Sequence, residues 1–499
     1  MTFRALSIAL FTASSLGFAG FAQDSGTTQY DDGSVYTGSF LDGLRHGQGS
    51  YKTADGFEYA GSWENGKING RGVAKYPNGS TYEGQFVDGK PEGQGLITFA
   101  DGSTYEGGWK EGVINGEGRA EYANGSIYVG SFQNADHHGQ GTLTTLTGFV
   151  YEGAWENGAQ TGFANVTYGE DGEYSGTLLN GKRDGQGRLK RADGQVYEGA
   201  WKNDLMHGLG KLWAINGNIY EGAFREDKRT GPAKITYANG DIYEGDLIAG
   251  LREGKGVLTQ TDGLIVSGSW VADLAEGEGM VTYPDGATYV GMLVGSRPQG
   301  TGILTYPNDE GSYEGEWIAG RIEGRGISKF KDGTIYEGSF KDGANHGSGK
   351  ITYADGSSYE GGWVDGQRHG LGTETQADGS SYTGGYQGGK PNGQGTLTLA
   401  SGFSYEGEWA AGAITGEGRA VYQSGDSYEG AFLNGRPDGL GKMAYADGTS
   451  FYGFWEAGAP KEPLEDPNAE GENTTLGDGT VTDALLNASE TATDTQTEE

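Results

Sequence analysis

A strict 23-residue repeat constrains the fold of this chain more than any other feature of its sequence. An aromatic anchor recurs at this spacing from Tyr36 to Tyr289, resumes at Tyr313 after a one-residue insertion, and ends at Phe451. The copies number nineteen, with the last one truncated, and Val266 is the only anchor that is not aromatic. Self-similarity at this length is typical of an array in which each copy is one supersecondary unit that packs against its neighbours.

Each copy is predicted to be a β-hairpin, because its pattern has a period of two. In the copy that starts at Tyr105, the anchor shares one face of a first strand with Gly107 and Trp109, and alternate residues from 116 to 122 share one face of a second strand. Asp-Gly and Asn-Gly pairs, such as the one at residues 101 and 102, stand between the copies and favour tight turns. The chain is therefore predicted to be a continuous antiparallel meander.

A glycine stands two residues after the anchor in all nineteen copies, from Gly38 to Gly453. Glycine inside a strand normally weakens a sheet, so its return in every copy indicates that a close approach depends on it. We expect it to leave room for rings of the adjoining strands to lie flat, and a side chain there should clash. The residues predicted to build this layer include Tyr36, Gly38, Tyr59, Gly61, Trp63, Tyr82, Gly84, Tyr105, Gly107, Trp109, Tyr128, Tyr151, Trp155, Tyr197, Trp201, Tyr336, Tyr359, Trp363, Tyr405, Trp409 and Tyr428.

A second aromatic residue stands four residues after the anchor and alternates between phenylalanine and tryptophan, as at Phe86 and Trp109. The alternation indicates that the building block is a pair of hairpins, and it falters at Leu178, Leu247 and Leu293. At ~4.8 Å per strand, the hairpins would form a sheet roughly 180 Å long, and its twist would curl it into a trough with the rings on one face.

These residues resemble the MORN repeat family, whose repeat reads Tyr-x-Gly-x-[Phe/Trp], then Gly, Gly-x-Gly and a later Tyr. The chain departs from this pattern where the three leucines replace the second aromatic residue, and where Ala164 and Ala233 replace the second glycine of the Gly-x-Gly pair. The resemblance implies an all-β fold, an elongated single-layer antiparallel meander of stacked β-hairpins that serves as a scaffold. It also implies that dimers are common and that membrane-lipid binding is proposed for some relatives.

Residues 1–22 have the pattern of a secretory signal. Arg4 precedes an apolar run that is shorter than a membrane span, and the small residues Gly20 and Ala22 precede polar residues. We expect cleavage after Ala22 and export to the periplasm or the exterior, with a retained anchor as the alternative. Because the chain has no cysteine, a cysteine-linked lipid anchor and disulfides are ruled out.

The remaining chain is predicted to have three parts. Residues 23–29 are a polar lead-in, residues 30–458 are the repeat array, and residues 459–499 are a tail. Tyr30 and the turn that follows it resemble the end of an incomplete copy that caps the first hairpin. The tail has eleven acidic residues against Lys461 alone and no aromatic residue, a composition that predicts disorder.

An acidic ladder is predicted on the face opposite the rings, because glutamate directly follows the anchor in eleven copies. Lysine or threonine is frequent sixteen residues after the anchor, and cross-strand pairing with this row is expected to satisfy part of the ladder at well under ~1 kcal/mol per pair. The ladder is thus either a solvated face or an interaction site. The paired row comprises Lys52, Lys75, Lys190, Thr282, Lys329 and Thr352. The candidate interaction residues are Glu83, Glu106, Glu152, Glu198, Glu221, Glu244, Glu314, Glu337, Glu360, Glu406 and Glu429.

Catalytic and metal sites are not expected. Five histidines lie ten residues after an anchor, but equivalent positions of adjacent hairpins would be about 9.6 Å apart, whereas zinc requires several ligands that converge at about 2 Å. The Gly-x-Gly pairs follow no strand-to-helix junction, and an array presents the same residues many times rather than one convergent catalytic group. The chain is therefore predicted to be no enzyme and to use no cofactor. The five histidines are His46, His138, His207, His346 and His369.

Net charge separates the two functions that the sequence leaves open. A charge of −34 repels nucleic acid and anionic lipid, so no nucleic-acid partner is expected and membrane lipid is disfavoured. The first prediction is a non-catalytic scaffold for protein–protein interaction in the periplasm or outside the cell, with a partner that has a basic surface, and with a homodimer left open. The alternative is an envelope-associated protein that binds lipid headgroups or cell-wall glycan through the repeat face.

Overall fold

The computed structural model describes residues 24–467, so the predicted signal and residues 468–499 lie outside the described residues. The chain divides into two compact units, Met1–Thr230 and Gly231–Glu499. Within residues 24–467 no helix is long and apolar enough to cross a membrane. The two units are built in the same way, and each is a succession of β-strands.

In the first unit, eighteen strands follow one another, and each pairs antiparallel with the next one along the chain. The strands are β1 (Asp24–Gln29), β2 (Val35–Leu41), β3 (Leu44–Lys52), β4 (Glu58–Glu64), β5 (Lys67–Lys75), β6 (Thr81–Val87), β7 (Lys90–Thr98), β8 (Thr104–Lys110), β9 (Val113–Glu121), β10 (Ile127–Gln133), β11 (Asp136–Thr144), β12 (Phe149–Glu156), β13 (Ala159–Tyr168), β14 (Gly172–Leu179), β15 (Lys182–Arg191), β16 (Val196–Lys202), β17 (Leu205–Trp213) and β18 (Ile219–Arg225).

The second unit has the same order of antiparallel neighbours, and its boundary falls within β19. Its strands are β19 (Lys228–Thr236), β20 (Ile242–Ile248), β21 (Leu251–Thr259), β22 (Ile265–Val271), β23 (Leu274–Thr282), β24 (Thr288–Val294), β25 (Arg297–Thr305), β26 (Gly311–Ile318), β27 (Arg321–Phe330), β28 (Ile335–Lys341), β29 (Ala344–Thr352), β30 (Ser358–Val364), β31 (Gln367–Thr375), β32 (Ser381–Gln387), β33 (Lys390–Thr398), β34 (Ser404–Ala410), β35 (Ala413–Val421), β36 (Ser427–Leu433), β37 (Arg436–Ala444), β38 (Ser450–Glu456) and β39 (Ala459–Pro463). The predicted all-β meander of hairpins is confirmed in each unit.

The register of one hairpin explains why glycine returns in every copy. In the hairpin of β8 and β9, Gly107 lies opposite Gly118, and the ring of Tyr105 lies over Gly118. A Cβ atom at Gly118 would be 2.4 Å from Cε2 of Tyr105, and a Cβ atom at Gly107 would be 2.5 Å from Cα of Gly118. The clash expected at Gly107 is confirmed, but the ring beside it is the anchor of the same strand and not a ring of an adjoining strand; this ring covers the second glycine of the Gly-x-Gly pair in its own hairpin.

Edge-to-face ring contacts join each hairpin to the next. The ring of Tyr105 lies 5.8 Å from that of Trp109 in its own strand and 4.9 Å from that of Phe132 in the following hairpin, both nearly perpendicular. The Tyr105 hydroxyl donates a hydrogen bond to the carbonyl of Gly108, and the Trp109 indole N–H donates to that of Gly95 in the preceding hairpin. Such aromatic pairs contribute beyond the area that they bury. The leucines that replace rings are also buried, so Leu178 and Leu293 fill the same position.

The tightest turn lies inside the hairpin, not between hairpins as the Asp-Gly pairs suggested. Glu111 and Gly112 both have positive φ, at 50° and 85°, as a two-residue type I′ turn requires. Between hairpins the turn is longer, and only Gly102 has positive φ, while Asp101 accepts a hydrogen bond from the backbone N–H of Ser103. The one-residue insertion lies in a 3₁₀ turn, Pro307–Asp309.

Both ends of the described chain differ from the predicted boundaries. Most of the predicted polar lead-in is strand β1, which pairs with β2 over six residues. The predicted tail begins with strand β39, which pairs with β38, and the N–H of Leu464 then donates to the carbonyl of Tyr452. The open edge of a sheet has unpaired N–H and C=O groups that any extended segment can satisfy, whatever the polarity of its side chains.

Candidate interaction face

The eleven glutamates of the predicted ladder are all exposed, on the face opposite the ring layer. Glu106 stands between Tyr105 and Gly107, and its neighbours across the sheet are Leu96 on β7 and Arg119 on β9. The same alternation applies in every copy, since strand side chains point to opposite faces in turn. The ladder is therefore a row that runs across the strands.

The cations that pair with this ladder lie fourteen residues after the anchor, not sixteen. Lys211 and Lys234 each form an ion pair of 2.9 Å with the glutamate of the following hairpin, Glu221 and Glu244. The same arrangement joins Lys350 to Glu360 at 3.5 Å and Arg188 to Glu198 at 3.8 Å. Residues sixteen after the anchor do not lie opposite the ladder. The register places them opposite the residue that precedes the anchor of the following hairpin.

Lys52 shows where the expected row lies instead. Its ammonium group pairs with Glu58 at 2.7 Å, and Glu58 stands directly before an anchor and does not belong to the ladder. Lys75, Lys190 and Lys329 face the same register position, opposite Thr81, Val196 and Ile335. All these pairs are exposed, so solvent screening leaves them little weight in stability.

Aliphatic side chains interrupt the ladder in the second unit. Met280, Val290 and Ile303 lie directly opposite one another on β23, β24 and β25, and their exposed fractions are 43%, 47% and 44%. Val257 and Met292 on the same face are also exposed. Single exposed apolar residues are ordinary, but a contiguous row of this kind is typical of a surface that binds another molecule.

A groove of about 1370 Å³ begins beside this row and runs over the strands from β23 to β31. Its apolar lining includes Val290, Ile303, Ile327 and Leu371, and the glycines of the strand centres, such as Gly326, contribute backbone. Four carboxylates line it, and two cations, Arg325 and Lys350, so its net charge is −2. The carboxylates are Glu278, Glu314, Glu337 and Glu360.

The ring layer of the second unit contains a buried ion pair that the sequence reasoning missed. The Arg368 guanidinium lies 2.9 Å from the Glu374 carboxylate, with side-chain exposed fractions of 12% and 15%. The Tyr386 hydroxyl donates to the same carboxylate, and Arg368 donates to the hydroxyl of Tyr353. Burial, together with the Glu374 charge, raises the pKa of Tyr386 above its usual value. The signal was available, because Glu374 is the one charged residue that stands fifteen residues after the anchor in the eighteen complete copies.

The five predicted histidines lie in five different hairpins, each on the second strand just before a glycine with positive φ, and a sixth, His137, precedes His138 on β11. His346 is 3.6 Å from Asp365 of the following hairpin. Within residues 24–467 no group of three potential ligands that could hold a metal ion is found.

A family model described as MORN repeat matches the chain repeatedly. The matched residues are 36–57, 59–81, 82–104, 105–127, 151–168, 174–196, 197–219, 220–242, 243–265, 267–288, 289–310, 313–335, 336–358, 359–381, 382–403, 405–427 and 428–450. No curated protein matches the chain.

Solved structures resemble the chain only weakly. The TCP domain of SAS-4 from Drosophila melanogaster, in complex with a proline-rich motif of Ana2, is 16% identical, with a TM-score of 0.21 over 35% of this chain and 86% of that one. The TCP10 domain of Danio rerio CPAP is 15% identical, with a TM-score of 0.18 over 44% and 93%. A catalytically inactive virginiamycin B lyase from Staphylococcus aureus, with quinupristin, is 12% identical, with a TM-score of 0.11 over 63% and 93%.

Proposed function

The chain belongs to the MORN repeat family, and we propose that it is a non-catalytic scaffold that binds a partner protein through the face opposite its ring layer. The observation that carries this proposal is the groove of the second unit, which Val290 and Ile303 of the aliphatic row line beside four carboxylates. On the ring face, the anchors and second aromatic residues bury one another and expose little of their surface. The opposite face exposes both its apolar and its charged side chains, so it is the face proposed for a partner.

The chemistry of the groove favours a basic partner with aliphatic side chains. The apolar row supplies area to bury, which is the main source of affinity in most protein interfaces. The surrounding carboxylates repel acidic partners and attract cationic ones, and this attraction acts mainly on the association rate and on specificity. The partner is therefore expected to offer an apolar strip flanked by lysine or arginine.

Export to the periplasm or the exterior is part of the proposal, because residues 1–22 carry a signal pattern. The partner is then to be sought in the cell envelope or outside the cell. Binding of lipid headgroups or glycan through the repeat face is the competing function, and the net charge of −34 opposes it for anionic lipid.

A capture experiment with two matched variants tests the scaffold function. Val290 and Val129 both follow an anchor directly and are exposed at 47% and 51%, but only Val290 lines the groove. The tagged chain is expected to capture a partner from the envelope fraction, Val290→Glu to lose it, and Val129→Glu to retain it. Equal capture by both variants would show that the groove is not the binding surface.

Sedimentation with anionic vesicles tests the competing function. The chain is expected to stay in the supernatant at physiological salt. Pelleting that does not depend on salt would favour lipid binding through apolar contacts and would contradict the scaffold function, because exposed charges are screened within about 8–10 Å under these conditions.

A further inference from the structure

The first edge of the sheet holds a site for an aromatic ring that the described chain does not fill. In the first complete hairpin, the ring of Tyr36 covers Gly49, and a Cβ atom there would lie 2.5 Å from Cε2 of the ring. Gly26 on β1 occupies the equivalent position of the incomplete first copy, but no described atom lies within 4 Å of where its Cβ would be. The residue thirteen before Gly26, where the anchor belongs, is Ala13. We call the space above Gly26 the ring seat.

Phe40 forms one wall of the ring seat, and it is more exposed than the equivalent residues of the other copies. In the other eighteen copies, the residue four after the anchor is buried, and aromatic residues there contact the anchor ring of the hairpin before, as Trp63 contacts Tyr36. Phe40 is only half-buried, and its ring contact is with Tyr36 of its own strand. Because no anchor precedes it, the flank of Phe40 that faces β1 stays accessible.

The backbone of β1 offers hydrogen bonds beside the ring seat. The N–H of Tyr30 donates to the carbonyl of Ser34. In an antiparallel pair, hydrogen-bonded and non-hydrogen-bonded residue pairs alternate along the strands. The backbone groups of Ser25, Thr27 and Gln29 therefore point away from β2, to the free edge. Within residues 24–467, β1 pairs with β2 alone. It carries no proline, lysine or bulge, which are the usual protections of an edge strand.

The other edge is protected. Strand β39 has only five residues, and Pro460 and Pro463 lack the N–H that a further strand needs. Lys442 and Asp466 form an ion pair of 2.7 Å beside it. Strand addition is therefore favoured at β1 and hindered at β39.

We propose that β1 binds an extended segment of a partner protein that carries tyrosine followed two residues later by glycine. In the register of the other hairpins, the partner's tyrosine lies opposite Thr28 and covers Gly26, and its glycine lies opposite Gly26. The residue between them pairs with Thr27 through the free backbone groups. The partner segment would make the same contacts that the first strand of each complete hairpin makes with its second strand. The residues that it needs are therefore known from those hairpins.

A second copy of this chain is a poorer occupant. Its Tyr-x-Gly segments already pair within their own hairpins, and their tyrosines, such as Tyr82 and Tyr105, are buried. Self-pairing of two β1 strands would satisfy the backbone but would leave both ring seats empty, because β1 itself has no aromatic residue.

A labelled peptide with the sequence of β6, TYEGQFV, tests the proposal by fluorescence anisotropy with the full chain. Saturable binding is expected, although ordering a short peptide costs affinity, so concentrations up to about 1 mM are needed. A peptide with alanine in place of tyrosine should bind at least tenfold more weakly. Binding that is equal for the two peptides would overturn the proposal, as would no binding.

Variants of the chain separate the ring seat from the backbone. Gly26→Val fills the seat without a clash, so it should keep the melting curve of the parent and bind at least tenfold more weakly. Thr27→Pro removes one outward N–H and should weaken binding, whereas Thr27→Ala keeps that N–H and should not. Undiminished binding by Gly26→Val would overturn the proposal.

Two further results decide between occupants. The Val290→Glu substitution changes the groove and not β1, so this variant should bind the peptide as the parent does. Failure of the proposed function can therefore be distinguished from failure of this inference. A dimer that Thr27→Pro abolishes, in a chain that binds no peptide, would assign the edge to a second copy and overturn the proposal.

Discussion

Substitution of Gly107 by alanine tests the ring layer most directly. The new Cβ atom would lie 2.5 Å from Cα of Gly118 and 2.5 Å from the Tyr105 hydroxyl, where ordinary contacts begin at 3.4 Å. Relief requires the two strands to separate by about 1 Å or the ring to leave its place, and a closely packed interior resists both. Overpacking of this kind costs about 1–3 kcal/mol, and loss of the hydrogen bond from Tyr105 to Gly108 adds about 1 kcal/mol.

Hydrogen exchange is the appropriate assay for this variant, because hairpins of an array open locally rather than all at once. We expect faster exchange in β8 and β9 and in the hairpins beside them, by a factor that corresponds to about 2–4 kcal/mol. Glu106→Gln changes an exposed residue of the same strand and should stay within about 0.5 kcal/mol of the parent. Exchange that is equally slow in both variants would show that the close approach of the glycines does not hold the hairpin.

Four other outcomes follow from the packing of individual residues. Tyr386→Phe should cost about 1 kcal/mol in denaturant unfolding, since it removes one hydrogen bond to Glu374. Arg368→Met should cost about 3–5 kcal/mol because it leaves Glu374 buried without its cation, and adding Glu374→Leu should restore most of the loss. Trp109→Phe should cost about 1 kcal/mol through the lost bond to Gly95. Burial raises the pKa of Tyr105 to about 12, so the folded chain keeps this phenol neutral between pH 10 and 12 while the unfolded chain ionises it. The melting temperature should therefore fall as pH rises through this window. An unchanged melting temperature would contradict the burial.

The repeat alone was sufficient to predict the hairpins, the ring face and the clash at Gly107, because a period of two assigns each side chain to a face. The cross-strand register was not predictable in this way. If pairing continued regularly from the two-residue turn, Glu106 would lie opposite Glu117. The second strand instead has a bulge opposite Gly108, where Gly116 takes a φ of 100°, and this shifts the register by two residues and places Arg119 opposite Glu106. The ion pairs that form instead cross to the following hairpin, where Lys211 lies opposite Glu221 without a bulge, so the turn between hairpins sets the row that spacing alone placed two residues away.

An array of identical hairpins cannot bind one partner at one place unless some copies differ from the rest. The features that every copy shares, the anchor ring and its two glycines, are occupied by packing, and the glutamate ladder recurs too often to define a position. Specificity must come from departures. One is the contiguous aliphatic row at Met280, Val290 and Ile303, whereas single aliphatic residues of other copies, such as Leu96 and Val129, have polar neighbours across the strands. The other is Ala13 in place of an anchor, with Gly26 left uncovered by the described residues. These departures cost little stability, because each lies on an exposed face or at an edge. A repeat protein can thus acquire a binding site by substitution in one copy while its neighbours keep the fold.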